Sequence, residues 1–185
     1  MMYWITRPRH LLRLMIFGLL FALTPTALAD TEIRAGLELG REWNGRANLV
    51  RINVAAPIWR TLFADQGLAT RLHVEGSVGR YFADSGGSGI WEGGLRGYAR
   101  TDLGHEGPFF AELGTGLIVI DKRRLDGNAW GSGLQFRSHA GLGFWLGETR
   151  TGAIIARISH SSNGSREKPN PGIDVASLMI EWRFL

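Results

Sequence analysis

The 185-residue sequence has no cysteine, few prolines, and beyond Asp30 no run of 18 consecutive apolar residues. Without cysteine there is no disulfide framework, no thiolate metal site and no cysteine nucleophile. Without a long apolar run there is no transmembrane helix. Hydrophobic residues make up 44% and the net charge is low, which excludes a disordered chain. The 26 glycines follow no collagen period, so an excess of roughly twice average usage needs another cause. An excess of one charge sign is missing as well, although the pI near 10.1 suggests one. Three of the 21 basic residues lie in the first 29 residues, where no acid occurs. That segment reads as a secretory signal: Arg7, Arg9, His10 and Arg13 precede an apolar run from Leu14 to Leu23, and Ala27-Leu28-Ala29 gives a small-x-small cleavage pattern. A signal peptide over 1–29 leaves one domain over 30–185 with a charge near +1, which removes the argument for a nucleic-acid partner.

What is present is period-two alternation along the whole exported chain. Apolar residues share one parity in eight segments, represented by Leu37 and Leu39, Ile52 and Val54, Leu72 and Val74, Leu95 and Ala99, Leu113 and Leu117, Phe136 and Leu142, Ile154 and Ile158, and Leu178 and Ile180. The opposite parity carries Glu38, Arg51, Glu75, Arg96, Glu112, Arg137, Arg157 and Glu181. Asn44-Gly45, Gly86-Gly87 and Asp126-Gly127 mark turns between segments. An even number of short alternating strands predicts an all-β fold, an eight-stranded antiparallel transmembrane barrel of the outer-membrane type. In so narrow a barrel, lumen glycines leave room for Arg, Glu and His side chains, which accounts for the glycine excess. Trp43, Trp59, Trp91, Trp130, Trp145 and Trp182 fall near strand ends, where interfacial girdles are expected. The chain stops on the aromatic-rich strand Leu178 to Leu185, similar to the terminal strands of outer-membrane barrels. A soluble lipocalin-type carrier is the rival architecture; its barrel would place the apolar face inside.

One hairpin differs in kind. His160, Ser162 and Asn163 are followed by a polar loop and then Asp174. An imidazole base, a hydroxyl nucleophile, an amide for an oxyanion and an acid to orient the base are the ingredients of a hydrolase. Residues two apart on a strand point the same way, about 6–7 Å apart at the backbone, so His160 and Ser162 share a face and Ser161 takes the other. Ile154, Ala156 and Ile158 have the parity of His160 and Ser162, and Asp174 has that of Ala176 and Leu178. An antiparallel pairing brings Asp174 to His160. If the apolar face meets lipid, all three polar groups stand on the outside at the bilayer rim, where ionisable groups are read as functional. Only a lipid visits that surface.

The run His160-Ser161-Ser162-Asn163, followed by Pro169-Asn170-Pro171-Gly172-Ile173 and an acid, resembles the lipid A 3-O-deacylase (PagL) family. The resemblance covers about 20 residues and implies Ser162 as nucleophile, His160 as base and Asp174 as the orienting acid. It implies that Asn163, with a backbone amide near Gly164, receives the oxyanion. Asp174 stands where family members often carry Glu, and Gly164-Ser165 departs from the order of a small residue followed by glycine. The implied reaction is hydrolysis of the 3-position ester of lipid A in the outer membrane. Its products are a 3-hydroxy fatty acid and 3-O-deacylated lipid A, and no cofactor is needed. Arg166 and Lys168 are candidates for the lipid A phosphates, and a solvated loop explains them equally well. A homodimer is the one protein partner considered.

Other polar residues have simpler readings. His73 and His139 on the charged face are expected to be lumen hydrogen-bond partners, and no metal-ligand spacing appears. Glu38, Glu75 and Glu112 face Arg51, Arg71, Arg96 and Arg137 and are expected to fill the barrel with ion pairs. His105 falls in a turn, and Asp121-Lys122-Arg123-Arg124 forms a basic loop, either solvated or facing lipopolysaccharide. A structural or adhesive barrel without catalysis is the alternative function.

Overall fold

The computed structural model describes residues 32–62, 69–87, 89–104, 107–125 and 127–184, with only the backbone of 60–62. The signal segment expected over 1–29, His105, Asp126 and the terminal Leu185 lie outside these residues. Eight long strands follow the alternating segments: β1 (Arg34–Glu42), β2 (Ala47–Leu62), β3 (Thr70–Ala83), β4 (Ile90–Asp102), β5 (Phe109–Ile120), β8 (Leu134–Leu146), β9 (Gly152–Ser162) and β10 (Ile173–Arg183). A two-residue hairpin of β6 (Arg124–Leu125) and β7 (Asn128–Ala129) lies in the β5–β8 connection. The long strands close in the order β1-β10-β9-β8-β5-β4-β3-β2, each antiparallel to its neighbours.

The period of two sorts the side chains. Leu37, Ile52, Leu95, Leu113, Leu142, Ile158 and Leu178 point outward and are exposed. Arg51, Arg96, Arg100, Arg137 and Arg157 point inward and are buried, together with Glu38, Glu75, Glu92, Glu112 and Glu181. This is the inside-out distribution of a transmembrane barrel and excludes lipocalin-type packing. Taking these charges out of water is costly, and it is offset only where each finds several partners. Arg51 binds Glu38 at 2.9 Å and Glu92 at 2.6 Å. Arg100 joins Glu112 at 3.0 Å to Glu181 at 2.7 Å. Arg157 contacts Glu112 and reaches Glu75 at 3.3 Å and Glu38 at 3.7 Å. Arg137 is held by Glu92 and by Ser161 at 2.9 Å.

Lumen glycines make room for this lattice, as expected: a Cβ on Gly114 would run into His139 and Tyr98, and one on Gly143 into the Phe110 ring. Apolar clusters close both ends of the lumen, one around Tyr81, Ile118 and Trp130 and the other around Phe110, Trp145 and Met179. A small void of about 20 Å³ remains at the first of these.

Several expectations need correction. Trp43 and Trp91 at the end bearing the β9–β10 loop, and Trp59 and Trp182 at the opposite end, are exposed in two girdles. Trp145 instead has lumen parity, and Trp130 folds into the plug, so both are buried. Arg71 is not part of the central lattice; it lies 3.6 Å from Asp102 near the barrel end. His73 is in the lumen but stacks on Tyr98, with ring centroids 4.8 Å apart, rather than hydrogen bonding. His139 is also in the lumen, 3.6 Å from Glu112, and makes no hydrogen bond among the described residues either.

Removing one member of a buried ion lattice leaves its partners uncompensated. Arg157→Met is therefore expected to destabilise the folded barrel by about 3–5 kcal/mol. Urea unfolding in detergent micelles, followed by tryptophan fluorescence, measures the loss.

Candidate active site

Side chains of the ion lattice occupy the lumen, so among the described residues the candidate site lies on the outer wall. Strand β9 alternates strictly: Ser159 and Ser161 are buried, while Ile158 and His160 face out and Ser162 is half-buried. Ser161 accepts a hydrogen bond from Arg137 inside the barrel, as its parity requires. In the β9–β10 ladder Asp174 is the direct partner of His160. Asp174 Oδ1 lies 2.7 Å from His160 Nδ1, on the outer wall near the β9–β10 loop. Both side chains are more than half exposed.

The carboxylate fixes the ring and leaves Nε2 free to handle a proton. Among the described residues, the imidazole hydrogen-bonds only Asp174, so the structure brings His160 and Asp174 into contact and sets Ser162 beside them without a hydrogen bond. Ser162 is the next outward residue along β9 and pairs across β8 with Phe136.

The loop over residues 163–172 is tied from within. Asn163 is buried; its N–H donates to Asn170 Oδ1 at 3.0 Å, and its Nδ2 donates to the Glu167 carbonyl at 2.7 Å. The Gly131 N–H donates to the Pro169 carbonyl at 2.7 Å, anchoring the loop on the β7–β8 segment. The Trp43 N–H donates to the Asp174 carbonyl at 2.8 Å. Asn163 thus shapes the turn, while Gly164 follows it at φ +64° with its backbone exposed beside Ser162. Arg166 lays its guanidinium over the Phe136 ring, 4.8 Å from the centroid, on the ring that pairs with Ser162. Lys168 is exposed further along the loop.

The sequence pattern does not reveal what Gly172 does. It adopts φ +70°, a conformation that side chains with a Cβ rarely take, and a Cβ there would lie 2.9 Å from His160 Cε1. The imidazole packs on a bare backbone, so this glycine sets the ring's position. A groove of about 530 Å³ runs from Trp43 past Asp174 and His160 to Ser138, Ala140 and Leu113 on the outer wall. An acid–imidazole pair, a neighbouring hydroxyl and an apolar groove form a surface suited to acyl transfer on a lipid.

The chain as a whole has counterparts among known proteins. The family model described as lipid A 3-O-deacylase (PagL) matches residues 48–183. The chain is 28% identical over 173 residues to lipid A deacylase PagL of Bordetella bronchiseptica, covering 91% of this chain and 95% of the relative. Among solved structures, that of the outer membrane enzyme PagL aligns with a TM-score of 0.72 and 16% identity, covering 82% of this chain and 99% of that one. The N-terminal β-barrel domain of Pseudomonas aeruginosa OprF aligns with a TM-score of 0.58 and 12% identity, over 84% of this chain and 98% of that domain. At these identities the structural likenesses speak for the barrel fold.

If His160 activates Ser162, Gly172→Ala is expected to slow labelling of Ser162 by a fluorophosphonate on the order of a hundredfold, because displacing the imidazole by about 1 Å costs that much. Gly86→Ala also sits at positive φ, at +76°, but with nothing within 4 Å, and it should label like the parent. Labelling kinetics of the two variants separate loss of ring position from general backbone strain.

Proposed function

The chain belongs to the lipid A 3-O-deacylase (PagL) family, and from that premise we propose that it hydrolyses the 3-position acyl ester of lipid A through Ser162, His160 and Asp174. The observation that carries this reading is the His160–Asp174 pair, held at 2.7 Å on the apolar outer wall beside an outward-facing Ser162. His160 Nε2 takes the Ser162 proton as Oγ attacks the ester carbonyl carbon. The bond from that carbon to the sugar oxygen then breaks, and the imidazolium returns its proton to the sugar oxygen. Water, deprotonated by His160, attacks the acyl-enzyme and releases the fatty acid with Ser162 restored. Asp174 keeps the imidazole in the required tautomer and stabilises its charged form.

The tetrahedral oxyanion is received by the exposed Gly164 N–H, which the buried Asn163 positions by holding the turn. Fixed donors of this kind are worth about 10²–10³ in rate. Arg166, steadied on Phe136, and Lys168 meet the phosphates of the substrate. The barrel works in the outer membrane, reached after the signal segment is removed, with its girdles at the two interfaces and the dyad at the rim of the apolar band.

Ser162→Ala is expected to lower hydrolysis of purified lipid A in mixed micelles by a factor of at least about 10³, and His160→Ala by a similar amount. Release of free fatty acid, measured by mass spectrometry, checks this. Retained release in both variants contradicts the mechanism. Arg166→Ala is expected to raise KM for bisphosphorylated lipid A roughly tenfold while leaving that for the dephosphorylated lipid nearly unchanged. Steady-state kinetics on the two lipids distinguish a phosphate contact from a solvated loop residue.

A further inference from the structure

Apart from Ser162, the rings next to the dyad on strands β9, β8 and β5 are apolar, yet the ring at its own depth is not. Reading around the barrel from β10, the ladder partners in that ring are Asp174, His160, Ser138 and Thr115. The ring toward the β9–β10 loop carries Ser162, Phe136 and Leu117, and the ring on the other side carries Ile158, Ala140 and Leu113. Ser138 and Thr115 both face out and are exposed. Their hydroxyls lie 3.1 Å apart, and Thr115 Oγ1 also donates to the Arg137 carbonyl at 3.2 Å. With the single Thr115 proton used there, Ser138 donates to Thr115 and keeps its own lone pairs open to the groove that it lines. Such acceptors are costly to leave unpaired on an apolar wall.

We infer that the Ser138–Thr115 pair is a specificity subsite that accepts a hydrogen bond from a hydroxyl carried on the acyl chain close to its ester carbonyl. The inference rests on the ester-hydrolase reading of the site and adds to it the residues that recognise the hydroxyl of the acyl chain. Ser138 is the diagonal neighbour of Ser162, one strand over and two residues down, about 7–8 Å away at the backbone. A carbonyl carbon at Ser162 Oγ with a hydroxyl two carbons further along the chain spans that gap, the rest of the chain continuing past Ala140 and Leu113. An unsubstituted chain would cover Ser138 without giving it a proton, so it binds at the cost of one unmade hydrogen bond.

The test compares p-nitrophenyl 3-hydroxydodecanoate with p-nitrophenyl dodecanoate in detergent micelles. The parent protein should prefer the hydroxylated ester by about five- to tenfold in kcat/KM. Ser138→Ala should bring that ratio close to one, Thr115→Val should lower it partway, and Ser138→Thr, which keeps a hydroxyl, should retain it. The heat-dependent shift of a folded barrel on a gel shows that each variant is assembled. No preference in the parent, or an unchanged preference in Ser138→Ala, overturns the subsite. A folded Ser138→Ala that loses both esters equally also overturns it, by assigning Ser138 to support of the imidazole on the side opposite Asp174. If the parent cleaves neither ester, or Ser162→Ala cleaves both, the ester-hydrolase reading itself falls and the subsite with it.

Discussion

A buried lattice of arginines and glutamates fills the middle of this barrel. Arg51, Arg100, Arg137 and Arg157 each bridge strands that are distant in sequence, and their partners Glu38, Glu92, Glu112 and Glu181 come from four different strands. In a medium of low dielectric such a lattice is stable only as a whole, since any charge left single is uncompensated. The lattice therefore fixes strand order and register together and fills the space in which a soluble barrel would hold a ligand. Among the described residues, the broad groove lies on the outer wall.

Register then does the chemical work. A one-residue slip between β9 and β10 would turn Asp174 inward and leave His160 unpaired, because each strand's side chains alternate between lumen and exterior. The ion pairs that hold Arg157 on β9 and Glu181 on β10 inside the barrel keep the even-numbered residues of both strands outside. Lattice residues and candidate site residues are thus interleaved on the same two strands: Ser159 and Ser161 are buried, His160 faces out and Ser162 is half-buried on the outer side. The bare backbone of Gly172 and the buried turn around Asn163 set the ring and the loop to finer tolerance.

Much of this could be read from the sequence because the strand period is two and the strands are long. The eight strands, the inward charges, the glycines that clear space for them and the outward placement of His160, Ser162 and Asp174 all follow from parity. Position along a strand is a weaker guide. Trp130 and Trp145 sit near strand ends like the girdle tryptophans, but Trp145 has lumen parity and Trp130 belongs to a connection that folds back into the plug. Arg71 has the charge but not the depth to join the lattice. The β6–β7 hairpin is too short to leave a period. The neighbours of His160 on β8 and β5, Ser138 and Thr115, were not legible because they depend on the stagger between strands, which closure of the barrel sets.

The central claim is that the face bearing the reactive groups opens to lipid. The absence of cysteine makes it directly testable with single introduced cysteines. Bimane attached at Ile158→Cys and at Ser159→Cys, in vesicles containing lipids brominated along the acyl chain, reports which of two consecutive β9 positions touches the bilayer. The account predicts strong quenching at 158 and little at 159. Quenching at 159 with none at 158 would turn the barrel inside out and remove the site from the membrane face.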